Sequence, residues 1–337
     1  ISCPCAMGLA TPAAISVGLG RAARNGIIFR NASTLESFKK IKQIVFDKTG
    51  TLTTGSFIIH QYNTTIDDAT FKSIIVSMEK YSNHPIAKSI VKEWTNTPLI
   101  NWKKIEETKG LGIKATDEKG DHYVVGSANI LNTKIEGSKH NIYLTKNDEF
   151  IGWIDIKDEI RKEAKDIINW FNKNQIKTIL LTGDNHEKAK KVADELNLSE
   201  YYAEHSPSDK LKKIEELNKT TPTAMVGDGI NDAPALAASD VGIAMGAHGA
   251  SAASEAADVV IIEDSIDRVT SAVALAKIAH RRAIQASLGG MFLALIAMIA
   301  AMLNHLTPSE GALLQEVIDL LAIFWALTTL KVRVPNG

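Results

Sequence analysis

The sequence predicts an α/β fold, in which a parallel sheet with crossover helices is interrupted by a smaller α+β insertion and accompanied by membrane-spanning helices. Three observations support this. Short apolar runs that end in Gly, Asp or Asn alternate with helix-like stretches through the middle of the chain. This alternation is interrupted between residues 57 and 149. Long apolar stretches lie at both ends of the 337 residues, a length that allows two or three domains.

Composition excludes several classes of protein. The formal net charge is −1 and no basic stretch is present, which argues against nucleic acid as a partner. The two cysteines, Cys3 and Cys5, are too few for a disulfide framework or for an ordinary four-ligand zinc site, so they are interpreted as a reduced pair. The chain does not begin with Met, and we expect its opening apolar run to continue upstream, as in a fragment.

Three apolar segments are candidate membrane spans, for which about 20 residues are needed. They cover residues 1–20, 286–306 and 311–330. A buried helical hairpin in a soluble core is the alternative for the last two segments. Lys and Arg flank these segments on the side of the large middle region, whereas the connector 304–310 has none. By the positive-inside rule we expect a multi-pass protein of the cell membrane, in contact with lipid, with a cytoplasmic middle region.

The middle region supplies the elements of the sheet. Strands are predicted at 43–47, 177–184, 223–228 and 241–245, and helices at 158–174 and 186–197. We assign residues 36–56 and 150–280 to this sheet domain and residues 57–149 to the insertion. Ligands of such sheets bind at the carboxyl ends of the strands, so the site is expected there.

The first of these strands ends at Asp47, which "KTGTLTTG" follows. A carboxylate in this position can attack a phosphoryl group as a nucleophile. In "TGD" (182–184), the Thr182 hydroxyl and the Gly183 amide can bind phosphate oxygens, and Asp184 completes the motif. Lys210 in "SPSDK" offers a cation. Together these residues predict a phosphoryl-transfer site.

A magnesium site is predicted beside the nucleophile. "GDGIND" supplies Asp228 and Asp232, which with Asp47 offer the oxygen ligands that Mg²⁺ prefers. Thr49, two residues after Asp47, is included among the expected Mg²⁺ ligands.

These four motifs resemble those of a known family. "DKTGTLT", "TGD", "SPSDK" and "GDGINDAPAL" are similar to the phosphorylation-domain motifs of P-type ATPases, whose catalytic fold is haloacid-dehalogenase-like. The resemblance implies an aspartyl-phosphate at Asp47. Simple phosphatases of the same fold typically place a second Asp two residues after the nucleophile, as acid and base, where this chain has Thr49. The substitution favours a pump over a phosphatase.

The insertion resembles the nucleotide-binding domain of the heavy-metal-transporting P-type ATPases. The similarity lies in "YSNHPIAKSI", "KGLGIKA" and "VVGSANIL". It implies that ATP, used with Mg²⁺, binds here. Two positions depart from the family pattern, Asn83 where Glu is usual and Ser127 where Asn is frequent. By position the resemblance assigns nucleotide contacts to His84, Gly110, Gly112 and Gly126.

The first segment contains "CPC", with Pro4 between the two cysteines. A proline breaks the hydrogen-bond ladder of a membrane helix, and broken membrane helices mark ion sites. Thiolates select soft or borderline ions such as Cu⁺, Zn²⁺ or Cd²⁺. The segment resembles the ion-binding helix of the heavy-metal pumps, which implies that Cys3 and Cys5 hold the transported metal.

The last segment carries two acidic residues, Glu316 and Asp319, three positions apart and therefore expected on one helix face. Charged residues inside a membrane are functional candidates by default, so both are predicted ligands of the transported ion. A position near the outer interface, capping the helix, is the alternative for Glu316. The Tyr-Asn pair and the Met-x-x-Ser-Ser pattern of the family's copper branch are absent from the sequence. We therefore favour Zn²⁺ or Cd²⁺, with Cu⁺ second.

The sequence is thus interpreted as the C-terminal part of a heavy-metal-exporting P-type ATPase, from the Cys-Pro-Cys helix onward. The family's actuator domain, with its Thr-Gly-Glu loop, and the earlier membrane helices are expected partners in an N-terminal part. Two alternatives remain open, a membrane-tethered haloacid-dehalogenase-type phosphatase and a non-catalytic membrane metal-binding protein.

Overall fold

The computed structural model describes residues 5–108, 111–130, 140–246 and 252–331. The chain forms two compact units. Unit 1 consists of the residues up to Leu52 together with those from Arg161 onward, and unit 2 is the segment Thr53–Ile160. Unit 2 therefore begins before the predicted insertion 57–149 and ends beyond it.

The difference in boundaries has a structural cause. Two strands of twelve residues, Thr53–Thr64 and Glu149–Ile160, pair with each other as an antiparallel ribbon. Both strands of this ribbon extend past the predicted limits of the insertion. The predicted sheet-domain ranges 36–56 and 150–280 differ accordingly from unit 1, which ends at Leu52 and resumes at Arg161. The residues that the structure describes form thirteen strands: β1 Ile27–Phe29, β2 Gln43–Asp47, β3 Thr53–Thr64, β4 Lys104–Thr108, β5 Gly112–Thr116, β6 His122–Gly126, β7 Ile142–Lys146, β8 Glu149–Ile160, β9 Lys177–Leu181, β10 Glu200–Tyr202, β11 Thr223–Gly227, β12 Val241–Ala244 and β13 Val259–Ile261.

Unit 1 contains a seven-stranded sheet in the order β1-β13-β12-β11-β2-β9-β10. All neighbouring pairs are parallel except β1 with β13, which is antiparallel. Strands β2, β11 and β12 are completely buried, as expected for central strands covered on both faces. The α/β fold class is confirmed, and β2 lies in the middle of the sheet between β11 and β9.

Unit 2 contains a six-stranded antiparallel sheet in the order β3-β8-β7-β6-β5-β4. One cluster of buried apolar side chains joins this sheet to two helices, and it includes Phe71 and Ile75 from the first helix, Ile90 from the second, and Ile113 and Val125 from the strands. Unit 2 therefore has its own hydrophobic core.

The helices of unit 1 cross over between strands as the sequence predicts. The predicted helix 186–197 is confirmed, whereas 158–174 begins later because β8 continues to Ile160. Within the described ranges there are eleven α-helices: α1 Cys5–Arg24, α2 Ser33–Lys40, α3 Asp68–Glu79, α4 Pro85–Glu93, α5 Ala164–Lys173, α6 His186–Leu196, α7 Pro207–Thr220, α8 Ala233–Ala238, α9 Ala252–Ala256, α10 Asp267–Met302 and α11 Pro308–Leu327.

Helices α1, α10 and α11 pack together through small residues. A cluster of alanines lines their interface, and Gly18 of α1 lies so close to Ala279 of α10 that a Cβ at Gly18 would be 2.7 Å from the Cβ of Ala279. Two helical segments in the described part of the chain, α10 and Pro308–Leu330, are long and apolar enough to cross a membrane. The alanine cluster at the interface of α1, α10 and α11 consists of Ala10, Ala14, Ala283, Ala286, Ala322 and Ala326.

Candidate functional site

The candidate active site lies at the carboxyl edge of the seven-stranded sheet. Asp47 is the last residue of β2 and is buried, with 6% of its surface exposed. It pairs in register with Leu181, the last residue of β9. On the other side β2 pairs with β11, which Asp228 follows directly. Parallel strands end at one edge of the sheet, so the three predicted motifs are brought together there.

Lys210 reaches this edge from α7. The helix begins in a capping box formed by Ser206 and Asp209, which fixes its first turn. Lys210 Nζ donates a hydrogen bond to Asp47 Oδ1 and another, of 2.8 Å, to Asp232 Oδ1. Burial alone would lower the pKa of Lys210, but the two carboxylates outweigh it and raise that pKa above its ordinary value. The site therefore keeps a permanent cation beside Asp47.

Three carboxylates converge on the same point. One oxygen each of Asp47, Asp228 and Asp232 lies within 4.8 Å of the others. Burial raises the pKa of Asp47 to about 6, against the opposing effect of Lys210. Asp228 is exposed at the mouth of the site. Its partial desolvation and the charge of the nearby Asp232 carboxylate raise its pKa to about 6. Crowded, partly desolvated carboxylates of this kind fit a divalent cation such as Mg²⁺.

Glycines let the backbone approach these carboxylates. Gly50, in the turn 48–52 after β2, has a positive φ of 73°, and a Cβ there would lie 1.6 Å from Asp228 Oδ2. A Cβ at Gly227 would lie 2.9 Å from Asp232 Oδ2. No larger side chain fits at Gly50 without displacing Asp228.

The "TGD" segment follows β9. Thr182 is buried, and its Oγ1 accepts a hydrogen bond of 3.2 Å from the backbone N–H of Asp184. Asp184 forms a salt bridge of 2.6 Å with Lys48, the residue after the nucleophile, so this pair joins the turns that follow β2 and β9. A Cβ at Gly183 would meet its nearest atom, the His205 carbonyl oxygen, at 3.4 Å. The three residues lie where the sequence predicts them, and their catalytic roles stay predictions.

Thr49 projects from the same turn and is exposed. Its backbone is extended, with ψ at 128°, and Gly50 after it is also non-helical. Its predicted role as a Mg²⁺ ligand stays a prediction.

Arg161 is a residue of this site that sequence reasoning missed. It is 8% exposed and donates hydrogen bonds of 2.9 Å to the carbonyl oxygens of both Gly50 and Thr51. The same guanidinium donates to the Asp264 carbonyl at 3.1 Å and to Asp264 Oδ1 at 2.5 Å. In the sequence it stands in "DEIRKEAKD", which is typical of an exposed amphipathic helix, so no signal distinguished it.

The predicted nucleotide residues lie in unit 2. His84 is the exposed N-cap of α4, and its Nδ1 accepts a hydrogen bond of 3.3 Å from the Ile86 N–H. Gly112 and Gly126 pair across β5 and β6. A Cβ at Gly112 would lie 2.1 Å from the Val125 carbonyl oxygen, so close approach of the two strands by itself requires glycine. Gly110 lies outside the described residues, and nucleotide contacts at the other three positions stay predictions.

Glu79 is a second residue that the sequence did not single out. It ends α3 and is 8% exposed, and burial, with the nearby Glu107, raises its pKa to about 7. Glu107 accepts a hydrogen bond of 2.5 Å from the Ser82 hydroxyl in the turn that leads to His84. A carboxyl group poised between its two protonation states is typical of functional sites.

The predicted metal residues of the helical region are only partly described. Cys3 and the side chain of Cys5 lie outside the described part of the chain. Asp319 is 8% exposed and accepts a hydrogen bond of 3.1 Å from Gln315 Nε2, one turn earlier in α11. Glu316 is exposed, whereas Gln315 and Asp319 belong to the buried positions of α11. The predicted roles of Glu316 and Asp319 as ligands of the transported ion stay predictions.

A buried aspartate at the end of a central parallel strand, with a lysine and two further carboxylates on neighbouring turns, supplies the groups that phosphoryl transfer requires. The model of the haloacid dehalogenase-like hydrolases matches residues 41–240, and the chain belongs to this family.

Relatives of known function are similar over most of this chain. A copper-transporting ATPase of Helicobacter pylori is 40% identical over 292 residues, which are 82% of this chain and 39% of that protein. A manganese-exporting P-type ATPase of Mycobacterium bovis is 38% identical over 291 residues, 80% of this chain and 40% of that protein. The chain thus spans about two fifths of the length of these relatives. They confirm the resemblance to heavy-metal-transporting P-type ATPases.

Solved structures of two ATPases also superpose on this chain. A zinc-transporting PIB-type ATPase in an E2.Pi state superposes with a TM-score of 0.86 at 31% identity, covering 97% of this chain and 56% of that one. The catalytic domain of the CPx-ATPase CopB-B superposes with a TM-score of 0.67 at 32% identity, covering 77% of this chain and 98% of that one.

Proposed function

We propose that this chain is the phosphorylated, ion-binding part of an ATP-driven exporter of heavy-metal cations. The observation that carries the proposal is the set of contacts around Asp47, in which Lys210 bridges Asp47 and Asp232 while Asp228 faces them. The two helical segments long enough to cross a membrane and the names of the similar proteins support it further.

The chemistry follows from these contacts. An oxygen of Asp47 attacks the γ-phosphorus of ATP while the bond to the β,γ-bridging oxygen breaks, so that ADP leaves and an acyl phosphate remains on Asp47. Lys210 lies beside the negative charge that spreads over the phosphoryl oxygens in the transition state. Asp47, Asp228 and Asp232 would hold Mg²⁺, which supplies further neutralisation of phosphate charge when bound.

The acyl phosphate is expected to persist. Thr49 stands where a phosphatase of this fold has its second acidic residue, and a threonine hydroxyl is a poor general base for water. A long-lived phosphoenzyme suits a protein that must move an ion before it hydrolyses, which favours export over the phosphatase alternative.

The cargo is proposed to be a divalent cation, Zn²⁺ or Cd²⁺ before Cu⁺. The buried carboxylate of Asp319 supports a divalent ion, because hard oxygen ligands suit such ions better than Cu⁺. Cys3 and Cys5 are proposed as the soft ligands. The similar proteins carry copper, manganese and zinc in their names, so they do not decide between these ions.

Location and partners are proposed on the same basis. α10 and Pro308–Leu330 would cross the cell membrane and contact lipid, with both catalytic units on the cytoplasmic side. An actuator domain and earlier helices from a preceding part of the same protein would complete the pump, and ATP would bind in unit 2 near His84.

The experiment is metal uptake by inside-out vesicles that contain the full-length protein. ATP should drive accumulation of Zn²⁺ or Cd²⁺, and Asp47→Asn should abolish it. A membrane phosphatase would instead hydrolyse small phosphate esters, with rates that survive Cys3→Ser and Cys5→Ser, and would accumulate no metal. A non-catalytic metal-binding protein would keep its function in Asp47→Asn.

A further inference from the structure

A surplus of positive charge lies where α2 packs against α10. Residues 33–42, which include α2, and residues 274–285 of α10 carry six basic residues and one acidic residue, Glu36. None of the six forms a salt bridge with any residue that the structure describes. We call these six residues the basic cluster: Lys39, Lys40, Lys42, Lys277, Arg281 and Arg282.

Lys277 is the member of the basic cluster whose charge is least well compensated. It is partly buried on α10, and the Lys42 ammonium is close enough to repel its charge. A partly buried ammonium is costly when the protein removes water from it and supplies no opposite charge. A bound anion would remove this cost.

The exposed face of α10 changes from basic to apolar next to this cluster. Lys277 and Arg281 are followed, at spacings of three and four residues, by Ile284, Leu288 and Phe292, which are all exposed. Such spacings place the five side chains on one face of the helix. At 1.5 Å per residue, Arg281 lies about 4.5 Å and Lys277 about 10.5 Å before Ile284 along the helix axis. We call the last three residues the apolar stripe, and it lies directly beside the cations.

We propose that the basic cluster and the apolar stripe bind one anionic phospholipid, whose phosphate-bearing headgroup contacts Lys42, Lys277 and Arg281. Its acyl chain lies along the apolar stripe. The inference rests on the proposed location of α10 in the membrane. The polar layer on each side of a bilayer is about 5–8 Å thick, and basic residues attract anionic headgroups over about a Debye length of 8–10 Å. The two cations of α10 lie within these distances of the apolar stripe.

The apolar stripe separates a phospholipid from other anions. Inorganic phosphate or another soluble anion would pair with the cations and leave the stripe in contact with nothing that matches it. An acidic protein surface would likewise match the cluster alone. An anionic phospholipid presents a negative headgroup and then an apolar chain, in the order in which α10 presents cations and then apolar side chains.

The test uses the full-length protein, purified in detergent and titrated separately with phosphatidylglycerol and phosphatidylcholine. Native mass spectrometry counts the lipids on each protein and gives the dissociation constant of the first one. The chains are the wild type, Lys42→Gln/Lys277→Gln, Lys277→Arg and a control, Lys188→Gln/Lys191→Gln. The control removes two exposed cations of α6, so both double variants lose the same charge. Inorganic phosphate at millimolar concentration is the competitor.

The wild type should bind the first phosphatidylglycerol more tightly than phosphatidylcholine. Lys42→Gln/Lys277→Gln should weaken phosphatidylglycerol binding by roughly 10-fold or more, because basic residues at the membrane surface attract anionic lipids. Its affinity for phosphatidylcholine should stay unchanged, which shows that the fold is intact. Lys277→Arg, which keeps the charge, and the α6 control should match the wild type.

Equal wild-type affinities for the two lipids would overturn the inference, as would equal losses in the two double variants. Displacement of phosphatidylglycerol by inorganic phosphate would overturn it too, since the ligand would then be a soluble anion. These titrations contain neither ATP nor transported metal. A wild type that prefers phosphatidylglycerol but forms no metal-dependent phosphoenzyme would therefore refute the proposed export and support the lipid site.

Discussion

At the scale of single residues, Arg161 connects parts of unit 1 that are distant in sequence. Its guanidinium holds the carbonyls of Gly50 and Thr51 in the turn after Asp47, and it also holds Asp264, shortly before α10. Gly50 in turn lies against Asp228. The position of the Asp228 carboxylate relative to Asp47 therefore depends on a residue that is distant from both in sequence.

Arg161→Lys should slow phosphorylation of Asp47 by roughly 10- to 100-fold and raise the Mg²⁺ requirement, because one ammonium cannot replace the fork of donors and the turn shifts. ATP affinity should not change, since the predicted nucleotide residues lie in unit 2. The measurement is acid-quenched phosphoenzyme formation at varied Mg²⁺, with ATP binding followed separately. Lys162→Gln, at the exposed next residue, is the control. Equal effects of both variants would contradict this role.

The raised pKa of Asp228 predicts how the stability of the folded chain depends on pH. Its pKa is raised from 3.8 to about 6, so the folded chain holds a proton on this group that the unfolded chain releases. Stability from this group is complete below about pH 4 and is lost as the pH rises through about 6. Asp228→Asn should therefore raise the melting temperature by a few degrees near pH 7.5 without Mg²⁺, and by less near pH 5.

The same variant should abolish stabilisation by millimolar Mg²⁺, which the wild type should show, since a ligand that binds only the folded state raises its melting temperature. Differential scanning calorimetry measures both effects. A Mg²⁺ shift that persists in Asp228→Asn would rule out Asp228 as a ligand. Asp194→Asn, in an exposed ion pair on α6, should produce neither effect.

Which site residues could be predicted from the sequence depended on their local context. Asp47 and Asp228 were predictable because each stands at the end of an apolar strand. Arg161 and Glu79 were not, because the contacts of Arg161 are with residues distant in sequence and no local pattern indicates the burial of Glu79.

At the scale of elements, the turn 48–52 is the most constrained piece of the site. Gly50→Ala should abolish phosphorylation, because its Cβ would overlap Asp228 Oδ2. Gly26→Ala is the matched control: Gly26 has a similar φ of 70°, but a Cβ there meets nothing nearer than 3.9 Å. Phosphoenzyme assays on both variants separate the collision with Asp228 from the cost of a positive φ. Equal activities would contradict the geometry.

Strand prediction from the sequence succeeded for the buried strands at the centre of the seven-stranded sheet. The four predicted strands correspond to β2, β9, β11 and β12. β1, β10 and β13 were missed because three residues are too few to show a periodicity, and pairing with neighbouring strands defines them. The long β8 was missed for another reason: its last residues, "KDEI", have the charge pattern of a helix but continue the ribbon with β3.

At the scale of the whole molecule, unit 2 is a separate body with its own core. A fragment of residues 53–160 should unfold cooperatively and bind ATP, with binding weakened by His84→Ala. A fragment of residues 57–149 should not fold stably, because it lacks most of β8 and leaves β3 unpaired. Circular dichroism melts and nucleotide titrations distinguish the two. A stable 57–149 fragment would show that the shorter, sequence-derived boundaries are correct.

Unit 1 links the catalytic edge to the candidate membrane spans through one continuous helix. α10 has 36 residues, about 54 Å at 1.5 Å per residue, and starts three residues after Asp264, the partner of Arg161. Residues 286–302 of the predicted span 286–306 are thus only the later part of a helix that begins six residues after β13. A shift in the turn after Asp47 has a short path to this helix through Arg161.

The central claim is that Asp47 accepts phosphate from ATP in response to metal. The most direct measurement is acid-stable, hydroxylamine-sensitive label from γ-labelled ATP on the full-length protein, with and without Zn²⁺ or Cd²⁺, beside Asp47→Asn. We predict label that requires the metal, Mg²⁺ and Asp47. Label that persists in Asp47→Asn, or that is the same with and without every metal, would contradict it.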